Sequence, residues 1–123
     1  MTSDSSNSIN IECTKENFDS NYKKIQAIIN SIQPKINDAI AAKFPEINED
    51  VFNGIYLHLS KSQASLSTNI MFIKAAIHES QNVNIEIRGK FDNLNSDQIS
   101  LILEYYKDYI RKELLKNNIN RDT

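Results

Sequence analysis

Val83-Asn84-Ile85-Glu86-Ile87-Arg88 alternates branched apolar residues with polar ones along its whole length, the pattern of a strand with one face in a core and the other in water. A single strand leaves its backbone donors and acceptors unpaired, so this stretch demands neighbours. Upstream, Ile55-Tyr56-Leu57-His58-Leu59-Ser60 also alternates, although Val51, Phe52, Ile55, Tyr56 and Leu59 fit a helical period equally well. Between the two, Leu66, Ile70, Ile73 and Ile77 suit a helix, while the dense Ile70-Met71-Phe72-Ile73 run suits a buried strand. Because Val83–Arg88 needs partners, we read all three as strands, with hairpin connections at Lys61–Ala64 and Glu79–Asn82. The expectation is a three-stranded antiparallel meander.

Two long helical patterns bracket the sheet. Thr14 is placed to cap the first, whose apolar stripe reads Phe18, Tyr22, Ile25, Ile29, Ile32, Ile36 and Ala39 or Ile40, in steps that alternate four and three as far as Ala39. Pro34 falls inside the stripe without breaking its phase, which predicts a kink rather than an end. Pro45 and the Asn48-Glu49-Asp50 cluster stop the element. Asn95 or Ser96 caps the second helix, with Gln98 spaced to close a capping box, and its stripe is Ile99, Leu103, Tyr106, Ile110 and Leu114. The order helix, strands, helix is a two-layer α+β sandwich. Residues 1–13 read as a disordered polar tail, 14–117 as one α+β domain and 118–123 as a second disordered tail.

The chain has 123 residues, 40% apolar and 24% charged, with net charge −2, which fits one domain with a core of its own. Cys13 is the sole cysteine, so no disulfide or cysteine-based zinc site can form within one chain. No basic n-region with an apolar h-region opens the sequence, and no apolar run approaches the ~18 residues of a membrane span. These features read as a cytoplasmic protein with no membrane contact. The two glycines, Gly54 and Gly89, stand too far apart for a phosphate-cradling loop.

Candidates for chemistry are few. His58 and His78 belong to no metal or catalytic spacing and read as surface histidines, so no metal, cofactor or catalytic residue is assigned. Cys13, read as the start of the first helix, would feel the helix dipole, yet no base is marked against it. The leading expectation is therefore a small non-enzymatic protein-binding module, of inhibitor, immunity, adaptor or chaperone-like kind and homodimeric, acting through amphipathic helices and an open sheet edge. Tyr105, Tyr106 and Tyr109 cannot all face the core from one helix, and tyrosines on a surface favour contacts. Tyr105 and Tyr109, with Phe18, Tyr22, Ile29 and Ile32 of the first stripe, are the expected contact residues.

The alternative is a nucleic-acid or translation-associated binder using Arg88, Lys90, Lys107, Arg111 and Lys112. A pI of about 5.6 with no basic block weighs against it. Its positive signal is local: Ile85-Glu86-Ile87-Arg88-Gly89-Lys90-Phe91, followed by a helix with Tyr105-Tyr106-Lys107-Asp108-Tyr109-Ile110, resembles the strand-to-helix segment of the translation initiation factor 2 beta-subunit and initiation factor 5 family. That resemblance implies a role in the translation apparatus. The family's segment leads into a four-cysteine zinc ribbon, which this sequence lacks.

Overall fold

The computed structural model describes residues 7–66 and 78–119. Its elements are β1 (Ser8–Cys13), α1 (Phe18–Ala41), α2 (Glu49–Asn53), β2 (Tyr56–Leu66), β3 (His78–Arg88) and α3 (Ser96–Lys116). The three strands form an antiparallel sheet in the order β1-β3-β2, and α1 packs against both the sheet and α3. The expected α+β class, with long N- and C-terminal helices around a three-stranded antiparallel sheet, is the observed one. Among the described residues no helix is long and apolar enough to cross a membrane.

The strands differ in identity from those read in the sequence. Ser8–Cys13, expected as disordered tail, is an edge strand whose Ile9, Ile11 and Cys13 point into the core. The two expected hairpin connections are themselves strand: Lys61–Ala64 lies within β2 and Glu79–Asn82 within β3. These strands pair directly from Tyr56↔Arg88 to Leu66↔His78, so β3 gains β1 as its second neighbour. The expected strand at Ile70–Ala75 lies outside the described residues. Register explains the core: Ile11, Val83 and Lys61 share one inward row, Ile9, Ile85 and Leu59 the next. Asn10, Asn84 and Ser60 form the matching row on the outer face.

The α1 stripe is spent in this core. Ile25, Ile29, Ile32, Ile36 and Ile40 are all buried, and the helix runs through exposed Pro34 without a break. It starts at Phe18 after an N-cap at Asn17, later than the expected Thr14 cap. Thr14 and Asn17 instead close a small turn, each backbone amide donating to the other's side-chain oxygen. Cys13 therefore ends a strand rather than opening a helix, and it is buried. At the other end of the chain, α3 begins with the expected Asn95–Gln98 capping box. It finishes with Asn118 at φ 62, the amides of Asn118 and Ile119 donating to the carbonyls of Leu115 and Leu114. That is a Schellman closure, and it turns Ile119 into the core. The domain thus extends past the expected boundary at 117.

A polar chain of contacts locks the layers together. Gln33 of α1 accepts from the backbone amide of Leu57 at 2.9 Å, and Asn37 donates to the carbonyl of Ile55 at 3.0 Å. The Tyr106 hydroxyl of α3 donates to Asn37 at 2.8 Å. Two amide side chains one helical turn apart thereby occupy backbone groups at the start of β2 that β3 does not reach.

Candidate functional site

The sequence-derived contact residues fall into three environments. Ile29 and Ile32 are core residues and cannot also meet a partner in this fold. Phe18 is buried and Tyr22 half-buried; Lys61 of β2 lies over both rings, 5.7 Å and 4.6 Å from their centroids. Its ammonium supplies a cation to the ring faces. Tyr106 is fully buried and Tyr109 half-buried, whereas Tyr105 is 38% exposed. Burial pushes the Tyr106 hydroxyl well above the ordinary tyrosine range. One member of the tyrosine cluster thus reaches solvent, as helix geometry requires.

Tyr105 has company that the sequence reading missed. Leu101 is 49% exposed and Leu115 61% exposed. Leu101, Tyr105, Asp108, Lys112 and Leu115 follow steps of four, three, four and three, so they form one outward stripe along α3. The opposite side, with Ile102, Tyr106, Ile110 and Leu114, is in the core. The spacing is present in the sequence, but the richer inward stripe of the same helix masks it. Tyr105 is braced from the side by Phe44, edge to face at 5.0 Å, which restricts its ring. In the middle of the stripe Lys112 bridges Asp108 at 3.0 Å, both side chains well exposed.

The five basic residues of the alternative reading do not share a surface. Lys107 is fully buried, with Glu104 at 3.5 Å, because it lies on the same side of α3 as Leu103 and Leu114. Arg111 is half-buried, and Lys112 is the partner of Asp108. Arg88 and Lys90 alone come together, lining a cleft of about 580 Å³ with Asp50, Val51, Gly54 and Tyr56. Within it Arg88 is held by Glu86 at 2.6 Å, and hydrogen bonds to Glu86 and Tyr56 raise its pKa further. Gly89 is in tight contact there: a Cβ would stand 2.8 Å from the Ile55 side chain.

His58 sits on the outer sheet face opposite Glu86, and nothing is described of the His78 side chain. Among the described residues no three histidine, cysteine, aspartate or glutamate side chains gather around a common point. The outer face also carries the amide oxygens of Asn82 and Asn84, enclosed and without a hydrogen-bond partner among the described residues. Comparison with protein-family models, with curated proteins and with solved structures finds no match to this chain.

Proposed function

We propose that this protein is a small non-enzymatic protein-binding module, of inhibitor, immunity, adaptor or chaperone-like kind, that works in the cytoplasm and self-associates. The observation that carries the reading is the outward stripe of α3. Three large apolar side chains, Leu101, Tyr105 and Leu115, stand in solvent on one face of a helix whose other face anchors the core. Single exposed apolar residues are ordinary on a protein surface, but a run at coiled-coil spacing on a rigid helix matches how helices recognise helices. Tyr105 adds a large ring with a hydroxyl, already oriented by Phe44, and so loses little freedom on contact. The free, buried Cys13 accords with a reducing compartment.

A photo-activatable side chain placed at Leu101 or Leu115 tests the reading, with the same group at exposed Lys35 on α1 as the control. Irradiation in cells is expected to give a discrete protein adduct, homotypic or heterotypic, from the α3 positions and none from Lys35. Equal, diffuse labelling from all three positions would contradict it.

A further inference from the structure

We infer that the outward face of α3 pairs with α3 of a second copy of this chain, the two helices antiparallel about a two-fold axis. The inference rests on the α3 surface proposed above and names its occupant. The charges on that face are segregated. Glu104 and Asp108 precede Lys112 and Lys116 along it, so that acids lie on the N-terminal side of residue 110 and bases on its C-terminal side, and all four are exposed. A parallel pair would set acid against acid and base against base; an antiparallel pair sets the acidic half of each copy against the basic half of the other. Antiparallel seams couple positions of the two heptad classes, so Tyr105 packs on the partner's Leu115 and Asp108 meets the partner's Lys112. The two-fold repeats each contact, which makes the surface complementary to itself. Within one chain these charges already form pairs, Lys107 with Glu104, Lys112 with Asp108 and Lys116 with Glu113. The last two are exposed surface pairs of little worth, so exchange for pairs between copies costs little.

Sedimentation equilibrium on the purified full chain tests this. The native protein is expected at twice the 14.1 kDa of one chain. Leu115→Asp, at an exposed position, should give a folded monomer by circular dichroism. Asp108→Lys alone and Lys112→Asp alone should each weaken the dimer at least tenfold, whereas the double variant Asp108→Lys with Lys112→Asp should restore it, because the two-fold pairs the exchanged charges again. A native chain that stays monomeric at millimolar concentration overturns the inference, as does a dimer indifferent to all four variants. Failure of the binding reading itself is distinguishable: a monomer whose Leu101 and Leu115 still cross-link to a different protein keeps the protein-binding reading and loses its self-association, with the second copy as occupant.

Discussion

At the residue scale, the positions that hold the fold are those where a polar group is enclosed or a side chain has no room. Tyr106 is the clearest, since its hydroxyl is buried and its one described partner is Asn37. Tyr106→Phe leaves that amide oxygen without its donor and should cost about 1–2 kcal/mol in urea denaturation. The same residue sets an alkaline limit. Its folded pKa is raised by burial, while in the unfolded chain it ionises near ~10. Above that pH the unfolded state releases a proton that the native state retains, so the Tyr106 contribution is complete below pH ~10 and is lost as the pH rises beyond it. Denaturation midpoints measured in steps from pH ~9 to ~11 should fall for the native chain and fall less steeply for Tyr106→Phe. Gly89 is limited by space instead. Gly89→Ala brings a methyl against the buried Ile55 side chain, and the expected loss is about 1–3 kcal/mol; an unchanged melting curve would show that Ile55 can give way.

At the element scale, the end of α3 makes a prediction that the sequence reading did not contain. Asn118 occupies the left-handed region and Ile119 is folded into the core. Asn118→Gly should stabilise by a few tenths of a kcal/mol or more, because glycine adopts that conformation without steric cost. Ile119→Ala should cost about 2–4 kcal/mol through the cavity it leaves; a disordered tail would register neither change in thermal melts. What was legible in the sequence were the elements with long, regular apolar periods: α1, α3 with its capping box, and the alternating half of β3. What was not legible lacked such a period. β1 carries its alternation in Ile9, Ile11 and Cys13, but three inward residues among serine, asparagine and glutamate resemble a tail until β3 is there to pair with them. The far halves of β2 and β3, Lys61–Leu66 and His78–Asn82, are polar and are strands through backbone pairing that no side-chain pattern announces. Lys107 differs from its sequence-based expectation for the opposite reason: its charge predicts solvent, and its helical phase puts it inside.

At the scale of the whole molecule, the two long helices divide the work. α1 spends its apolar stripe on the sheet and on α3, and its Gln33 and Asn37 secure the start of β2. α3 closes the core with one face and keeps a second, sparser stripe outside. The first-helix stripe expected at an interface is therefore taken up by folding, while the tyrosine-bearing helix keeps Leu101, Tyr105 and Leu115 exposed. Of the candidate site, Tyr105 could be found from sequence because three crowded tyrosines cannot share one helix face. Leu101 and Leu115 could not be singled out until the inward phase of α3 was fixed. The most direct measurement on this account is disulfide trapping in a Cys13→Ala background, with one chain carrying Tyr105→Cys and another Leu115→Cys. In the antiparallel pair, like positions lie about 15 Å apart along the helix axes, from ten residues at the rise of an α-helix, too far for a disulfide. Each variant alone should therefore stay uncrosslinked under mild oxidation, and the mixture should give a covalent heterodimer. Crosslinking of either variant with itself, or none in the mixture, would contradict the account.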